Sequence, residues 1–279
     1  MDCLESLEDC ELEHQAIVVD NASTDGTVAA VRERFPSVEL IADHGNRGFA
    51  YANNLALDVA CGEHLLFLNP DTVVPRDALS ACLHELESQP DVGMLGCKLV
   101  QPDGSLDHAA KRGFPTPLSS LYHFIGLTRV FPRSPRLAQY TAGHVDPDQT
   151  AQVDAVNGAF MLVRRQALEQ VGPMDEEYWL YMEDLDWCYR FWQAGWAVLY
   201  WPGATVVHVK GGSATKHRAW RTNHAFHRGM WLFYRKHYLR ATPFPVTVAV
   251  FAGIWIKLGF SALSSWVSRS RAGSASIGA

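Results

Sequence analysis

The sequence contains no C-x-x-C pair, although six cysteines are scattered along its 279 residues. Cysteine pairs at that spacing are typical of structural zinc sites, so we do not expect such a site. Scattered cysteines indicate reduced thiols in a cytosolic chain rather than a disulfide framework. The opening residues, MDCLESLEDCELEHQ, carry several acidic side chains and no apolar core, so we expect no signal peptide there.

The chain also lacks an excess of positive charge. It has 24 Lys and Arg against 30 Asp and Glu, which gives a formal net charge of -6. Proteins that bind nucleic acid generally carry a basic footprint, so nucleic acid is not expected as a partner. No internal repeat and no low-complexity tract is present, which excludes a repeat architecture.

A long apolar run is missing as well. The apolar stretch at 246–256 is shorter than the ~20 residues that cross a bilayer, although counting on through Lys257 to residue 267 makes a span possible. We expect an interfacial helix or hairpin at 242–267, beside a basic and aromatic run at 216–240 that lies among lipid headgroups. An ordinary buried pair of helices is the alternative. The basic residues beside the apolar segment are His224, His227, Arg228, Arg235, Lys236, His237 and Arg240.

Short apolar runs alternate with helical patterns in the first hundred residues. The predicted strands are 16–20, 38–42, 64–69 and 92–100, and the predicted helices are 25–35, 48–60 and 77–88. Such alternation predicts a parallel sheet that is covered by helices on both faces. Ligands of these sheets bind at the carboxyl ends of the strands, where Asp20 and Asp71 both lie. We therefore expect these two carboxylates to face one crevice.

The rest of the chain is less regular. Residues 101–150 are rich in Pro, Gly and polar residues, and we interpret them as a variable excursion with one short helix near 118–127. Order returns at 155–165, and a helix at 183–195 and a late strand that ends near His208 follow.

Three acidic residues, Glu183, Asp184 and Asp186, crowd the start of the helix at 183–195. The helix dipole alone favours acids there, so a purely structural role is one interpretation. General-base catalysis is the other, because neighbouring carboxylates can have raised pKa values. Asp186 and Arg190 are spaced as neighbours on a helix and predict a salt bridge.

Six stretches occur in an order that resembles glycosyltransferase family 2, over about residues 2–240. They are IVVDNASTDGT, NRGFAYANN, LFLNPDTVV, NGAFMLVRRQALEQVGPMDE, YMEDLDWCYRFWQAGW and HVKGGSA. The chain is most similar to the bacterial rhamnosyltransferase-like members. The resemblance implies a GT-A fold, an α/β architecture with a Rossmann-like, mostly parallel sheet and helices on both faces. It also implies a nucleotide-sugar donor, a divalent metal and inversion at the anomeric carbon.

The resemblance implies ten contacts to the nucleotide sugar: Asp20, Asn21, Ser23, Asn46, Arg47, Gly48, Asn53, Asn69, Gly158 and Ala159. A carboxylate at Asp20 can accept hydrogen bonds from a pyrimidine ring or a ribose hydroxyl. Gly48 lets the backbone come close to a ligand, and Arg47 can meet a phosphate. A cap on the next helix by Ser23 or Asp25 is the structural alternative at that turn.

Asn69-Pro70-Asp71 ends a strand and is similar to the family's Asp-x-Asp signature, with Asn69 in the first acidic position. A diphosphate leaving group must have its growing charge neutralised, and Mg²⁺ or Mn²⁺ does this with few protein ligands. We expect Asp71 to bind the metal, and the resemblance adds His208 from the late strand. A strand-ending Asn-Pro turn and a structural histidine are the alternatives.

The resemblance places the catalytic base in the Glu183 and Asp184 pair, where we choose Asp184 and keep Glu183 as the alternative. An inverting transfer needs such a base to take the proton of the acceptor hydroxyl. Gly158 and Ala159 are small and leave room for the donor sugar.

Members of this family open with a strand ahead of the CLESL helix, whereas this chain begins inside that helix. We therefore expect the first strand to be missing, and we favour a start site placed too late over a truncated copy. Two regions are expected: a transferase domain at 1–215 and a basic-aromatic, then apolar, helical region at 216–279.

The expected function is metal-dependent inverting transfer of a sugar, with rhamnose as the candidate. The donor is expected to be a dTDP- or UDP-sugar, and the acceptor a lipid-linked or polysaccharide glycan of the cell envelope. The expected location is the cytoplasmic face of the cell membrane. One alternative is a non-catalytic, membrane-associated relic that binds nucleotide sugars or glycans. A sugar nucleotidylyltransferase is a further alternative, but the Gly-rich basic phosphate loop that it needs is not visible.

Overall fold

The structure is a computed structural model that describes residues 1–43, 45–209 and 220–275. Its strands are β1 Ile17–Asn21, β2 Glu39–Asp43, β3 His64–Leu68, β4 Thr72–Val73, β5 Val92–Val100, β6 Lys111–Arg112, β7 Ala151–Gln152, β8 Ala155–Val156, β9 Phe160–Arg164 and β10 Ala197–His208. Its helices are α1 Asp2–Glu8, α2 Thr27–Arg34, α3 Phe49–Leu57, α4 Ala78–Ser88, α5 Pro117–Phe124, α6 Leu127–Val130, α7 Arg165–Val171, α8 Glu183–Gln193, α9 Trp220–His237 and α10 Phe244–Ala275.

The strands and helices predicted in the first hundred residues are all present, with bounds shifted by three residues or fewer. The apolar and polar periodicity there is local, so it marks each element without knowledge of its neighbours. The short helix expected near 118–127 is two helices, α5 and α6, because the chain turns at Gly126, whose φ of 82° suits glycine.

The sheet is mixed rather than mostly parallel. Its main path runs β3-β9-β5-β10-β4, with β7 beside β10. The β5 and β10 pair is parallel, whereas β9 is antiparallel to both β3 and β5. Strand β9 starts where β3 ends, since the N–H of Asn69 donates to the carbonyl oxygen of Ala159. An apolar run does not encode strand direction, so periodicity could not predict this reversal.

Strands β1 and β2 form a separate parallel sheet, with Asp20 opposite Ala42. Within the described residues neither strand is hydrogen-bonded to the main sheet.

Apolar layers cover both faces of the main sheet. In β5, Met94 belongs to one core cluster and Leu95 to the other, because successive side chains of a strand point to opposite faces. Helix α8 contributes Leu185 and Trp187 to the first cluster, and helix α4 contributes Leu86 to the second. The prediction of helices on both faces is therefore confirmed.

Helix α9 packs onto the first of these clusters through Leu232 and Phe233. The boundary that we expected at residue 215 lies outside the described residues.

Several basic residues of α9, which we expected among lipid headgroups, make contacts within the protein. Lys236 forms salt bridges with Asp175 and Glu177. Arg235 also pairs with Glu177, and Arg228 donates to the backbone carbonyl oxygen of Glu177. The buried side chain of His227 contacts the carbonyl oxygen of Asn223, and that of His237 contacts Asp186. The acidic loop at 175–177, distant in sequence, supplies most of these partners.

Of the helix or hairpin expected at 242–267, the structure has the helix, because α10 is continuous. Its segment Phe244–Ala262 has a mean hydropathy of 1.6 and is long and apolar enough to cross a membrane. Only 11% of that segment is buried, which argues against an ordinary buried core helix. Ile254 and Leu258 are buried, and the ring of Phe251 lies 5.2 Å from that of Trp231 on α9.

Candidate active site

His208 joins two carboxylates from different parts of the chain. Its Nε2 lies 3.2 Å from Oδ1 of Asp71, and its Nδ1 lies 3.0 Å from Oδ2 of Asp107. The backbone holds this arrangement, because β10 pairs with β4 so that His208 lies opposite Thr72. The N–H of Val209 also donates to the carbonyl oxygen of Asp71 at 2.7 Å. The structure therefore brings together the two residues predicted as metal ligands.

The two carboxylates set the charge of His208. Burial lowers its pKa, but hydrogen bonds with Asp107 and Asp71 outweigh burial and raise the pKa to about 9. A metal ion binds the unprotonated imidazole, so it would compete with the proton on Nε2.

Asp107 is a residue that sequence reasoning missed. It is fully buried and contacts the imidazole nitrogen that faces away from Asp71. A carboxylate in that position orients a metal-binding histidine. No local pattern distinguishes Asp107 from the other polar residues of the excursion.

The donor set at this edge fits a hard divalent cation. Asp71 offers carboxylate oxygens and His208 an imidazole nitrogen, and Oδ1 of Asn69 is buried without a hydrogen-bond partner among the described residues. Across those residues no group of three or more His, Cys, Asp or Glu side chains is placed to hold a metal. The set therefore suits an ion that keeps water and phosphate oxygens as its other ligands, as Mg²⁺ commonly does.

A strained turn leads into α8. Tyr181 and Met182 have φ values of 69° and 76°, a left-handed conformation that is costly for residues other than glycine. Gly229 of α9 lies against this turn, because a Cβ there would come within 2.9 Å of the carbonyl oxygen of Tyr181. Helix α9 therefore supports the turn that precedes Glu183 and Asp184, which are both buried.

Arg112 is the second residue that sequence reasoning missed. It lies on β6, and its Nη2 forms a salt bridge with Oδ2 of Asp184 and donates to the carbonyl oxygen of Val156 at 2.9 Å. Burial disfavours the cation, but the charge of Asp184 outweighs it and raises the pKa of Arg112. Its Nε is buried without a hydrogen-bond partner within the described residues. Only the pairing of β6 with β8 brings Arg112 to the site.

Asp184 has a salt-bridge partner in Arg112. Oε2 of Glu183, in contrast, is buried without a hydrogen-bond partner among the described residues. Burial, followed by the charge of Asp184, raises the pKa of Glu183 to about 8. A carboxyl group with that pKa is largely protonated at neutral pH.

Asp186 has a structural role. Its carboxylate accepts hydrogen bonds from the hydroxyl of Tyr178 at 3.1 Å and from Nε of Arg190 at 3.0 Å. It also contacts Nε2 of His237 at 2.7 Å. Burial raises its pKa, but the contacts with His237 and Arg190 outweigh burial and lower it. The predicted salt bridge with Arg190 is confirmed.

The predicted nucleotide residues on β1 are organised by their own turn. Asp20 is buried, and its Oδ2 accepts a hydrogen bond from the N–H of Ser23 at 3.0 Å. Asn21 donates through Nδ2 to the carbonyl oxygen of Gly48 at 3.1 Å and accepts from the N–H of Arg47 at 3.3 Å. Asp20, Asn21 and the 46–48 segment therefore lie together. Asp25, rather than Ser23, accepts from the backbone N–H of Thr27 at the start of α2.

Gly48 is required by a close approach within the protein. Its φ is 112°, and a Cβ at this position would come 2.3 Å from the carbonyl oxygen of Trp179. The same carbonyl accepts a hydrogen bond from the N–H of Phe49 at 2.9 Å. This contact joins the 46–49 segment to the loop that precedes Glu183.

Three other predicted residues make hydrogen bonds within the protein. The exposed guanidinium of Arg47 donates to the hydroxyl of Tyr51 at 2.8 Å. Nδ2 of Asn53 donates to the carbonyl oxygen of Phe49 within α3. The carbonyl oxygen of Asn46 accepts from the indole of Trp179.

Gly158 and Ala159 connect the separate parts of the site. The N–H of Gly158 donates to Oδ2 of Asp184 at 3.2 Å, while the carbonyl oxygen of Ala159 accepts from Asn69 at 3.1 Å. A Cβ on Gly158 would lie 3.7 Å from the ring of Phe49, which follows Gly48. Gly158 and Ala159 thus link Asp184 to Phe49 and to the backbone of Asn69.

The family model described as "Glycosyl transferase family 2" matches residues 2–172. The chain belongs to this family. It is 32% identical over 228 residues to N-acetylglucosaminyl-diphospho-decaprenol L-rhamnosyltransferase of Mycobacterium tuberculosis, which covers 78% of this chain and 73% of the relative. It is 27% identical over 204 residues to rhamnosyltransferase WbbL of Escherichia coli, a match that covers 70% of this chain and 73% of the relative. This family 2 protein is thus a rhamnosyltransferase-like glycosyltransferase, as its motifs predicted.

Solved structures show the fold of this family 2 chain. Mannosyltransferase PcManGT from Pyrobaculum calidifontis, solved with GDP-Man and Mn²⁺, has a TM-score of 0.56 at 20% identity and covers 98% of this chain and 71% of that one. GalNAc-T7, solved with UDP, GalNAc and Mn²⁺, has a TM-score of 0.54 at 12% identity. The match covers 79% of this chain and 41% of GalNAc-T7. The predicted GT-A fold is confirmed.

Proposed function

We propose that this glycosyltransferase moves a sugar, with rhamnose as the first candidate, from a nucleotide diphosphate donor to a lipid-linked acceptor with inversion at the anomeric carbon. The observation that carries the proposal is the position of Gly158 and Ala159. They contact Asp184 on one side and the Asn69-Pro70-Asp71 segment on the other. A base and a diphosphate site are thereby held at a fixed separation, which a displacement at one carbon requires.

The donor nucleotide is proposed to lie along β1 and the 46–48 segment. Asp20 is a buried carboxylate whose turn is closed by Ser23, so its position is fixed before any ligand arrives. Asn21 ties that turn to Gly48 and Arg47. A dTDP- or UDP-linked sugar is the proposed donor, and the names of two relatives include rhamnosyltransferase.

A divalent cation, Mg²⁺ or Mn²⁺, is proposed to be held by Asp71 and His208. When bound, it would supply positive charge to the diphosphate leaving group. Asp107 would keep the imidazole oriented and its Nδ1 proton bound, so that Nε2 is the nitrogen available to the ion.

Asp184 is proposed as the general base. The acceptor oxygen forms a bond to the anomeric carbon, and its proton passes to the carboxylate. The bond from that carbon to the diphosphate breaks, and the electron pair leaves with the diphosphate. Arg112 and the N–H of Gly158 hold Oδ2 of Asp184 in place. Glu183 is the alternative, although its pKa of about 8 leaves it largely protonated at neutral pH.

The acceptor is proposed to be a polyprenyl-diphosphate-linked sugar at the cytoplasmic face of the cell membrane. The exposed, apolar α10 supports this location, since a helix with 11% of its apolar segment buried needs another apolar surface. The mycobacterial relative carries a decaprenol-diphosphate-linked acceptor in its name.

The test is a transfer assay on the full chain in lipid vesicles. Nucleotide-sugar donors, dTDP-rhamnose first, are offered with polyprenyl-diphospho-GlcNAc, with and without Mn²⁺, and the anomeric configuration of the product is read by NMR. We expect Mn²⁺-dependent transfer with inversion. Donor hydrolysis without transfer to any lipid-linked acceptor would refute the acceptor, and a product that retains configuration would refute the mechanism.

A further inference from the structure

The α5–α6 segment, residues 117–131, exposes an apolar surface that the catalytic site does not use. Six large apolar side chains there are between 50% and 67% exposed: Leu118, Leu121, Phe124, Ile125, Val130 and Phe131. Single exposed apolar residues are normal, but a group this dense is typical of a binding surface.

The charge around this segment has one sign. Residues 108–145 contain five Lys and Arg and no Asp or Glu, in a chain whose net charge is -6. Lys111 and Arg112 are engaged inside the protein. Arg129, Arg133 and Arg136 are exposed beside the apolar side chains. An apolar surface with adjacent cations suits the headgroup region of an anionic bilayer.

The segment adjoins the exposed helix α10. Nζ of Lys257 lies 5.9 Å from the ring centre of Phe124. The neighbouring turns of α10 expose Ile256 and Phe260, so the two apolar surfaces lie next to each other.

We propose that the α5–α6 segment is a second membrane contact, which inserts its apolar side chains at the lipid interface while Arg129, Arg133 and Arg136 meet anionic headgroups. The inference rests on the proposed membrane location for the identity of the partner. It adds to the cationic run of α9, in which Arg235 and Lys236 pair with Asp175 and Glu177.

The contact has a consequence for the site. Five residues upstream of α5 lies Arg112, which holds Asp184. A bilayer contact by α5, together with α10, would fix the orientation of the catalytic edge relative to the membrane surface. One contact alone would leave the domain free to rotate about it.

The test uses the full chain on vesicles that carry a photoreactive phospholipid, with cross-linked residues located by peptide mass spectrometry. One set of vesicles is phosphatidylcholine, and the other also contains phosphatidylglycerol. We expect cross-links in 117–133 as well as in 244–262, with the former at least roughly fivefold stronger on the anionic vesicles, as each cation near such a surface is favourable.

Two variants sharpen the result. L121E/F124E should lose most cross-links in 117–133 and keep those in 244–262, since both side chains are exposed and their replacement leaves the core intact. R129Q/R133Q/R136Q should lose the preference for anionic vesicles. The control R32Q/R34Q/R76Q removes the same number of exposed positive charges from residues 32–76, where Arg34 pairs with Glu5 and Arg76 with Glu11, and it should keep the preference.

Cross-links confined to 244–262 would overturn this inference and leave the proposed function standing, because transfer is assayed separately. If R129Q/R133Q/R136Q prefers anionic vesicles as strongly as the control does, the proposed role of the three arginines is wrong. Cross-links in 117–133 that need added polyprenyl-diphosphate acceptor would replace the bilayer contact by an acceptor site.

Discussion

Nε2 of His208 lies 3.2 Å from Oδ1 of Asp71, although the two residues are far apart in the sequence. The pairing of β10 with β4 creates this contact. The proposed metal chemistry depends on it, and the first two predictions test it.

Replacing Asp71 by alanine should abolish metal-stimulated nucleotide binding and leave the fold intact, because the side chain lies at a strand end and is partly exposed. Nucleotide affinity is measured by calorimetry with and without Mn²⁺. D77A is the control, since Asp77 is exposed and its side chain makes no capping hydrogen bond. Unchanged metal dependence in D71A would remove Asp71 from the site.

Asp107 is predicted to be a positioning residue for the metal. D107N keeps the shape but weakens the hold on Nδ1 of His208, so Mn²⁺ affinity should fall roughly 10- to 100-fold. The measurement is a Mn²⁺ titration of donor binding, with a denaturation curve beside it. A loss of stability at unchanged Mn²⁺ affinity would make Asp107 purely structural.

Asp184→Asn retains the shape of the side chain and one acceptor oxygen, but it cannot take the acceptor's proton. Transfer should fall by roughly 10²–10⁴-fold, with donor binding nearly unchanged. Single-turnover transfer and donor affinity are measured on the same preparation. If E183Q is the crippling change and D184N is tolerated, the choice within the pair is wrong.

Glu183 should make stability depend on pH. Its folded pKa of about 8 lies above the ordinary value of 4.5, so the folded state retains a proton that the unfolded state releases. Its stabilising contribution is complete below about pH 4.5 and is lost as pH rises through about 8. E183Q should therefore gain stability relative to the parent between about pH 5 and pH 9 in urea unfolding. The exposed control E87Q should show no such gain, and an equally flat E183Q profile would contradict the assignment.

Removing residues 242–279 should make the protein soluble and slow transfer to lipid-linked acceptors, while donor hydrolysis persists. Helix α10 contacts the rest of the molecule mainly through α9, as in the Trp231 and Phe251 ring pair, so the catalytic edge remains. Removal of 263–279 alone is the control, because it retains Phe244–Ala262. Fractionation at low and high salt and a transfer assay give the readout. Full-length protein that stays cytosolic at every salt concentration would point to a soluble acceptor.

Strand ends and helix starts followed from local pattern. The apolar run before Asn69 and the turn after Asp71 mark the end of β3, and the acidic cluster at 183–186 marks the start of α8. These features depend on neighbouring residues alone, and the ordered motifs were enough to predict the family and its fold. Periodicity cannot state strand direction, which is why the reversal of β9 was not foreseen.

Only the tertiary structure decided which residues surround the predicted ones. Arg112 and Asp107 lie in an excursion whose composition is typical of a surface loop, yet both are held against the site by pairing with distant segments. Two cations of α9 follow the same rule, since Arg235 and Lys236 pair with the acidic loop at 175–177. Charge and polarity are properties of single residues, and the sequence determines them. Burial and partnership arise from contacts between residues far apart in the chain, and folding alone sets them.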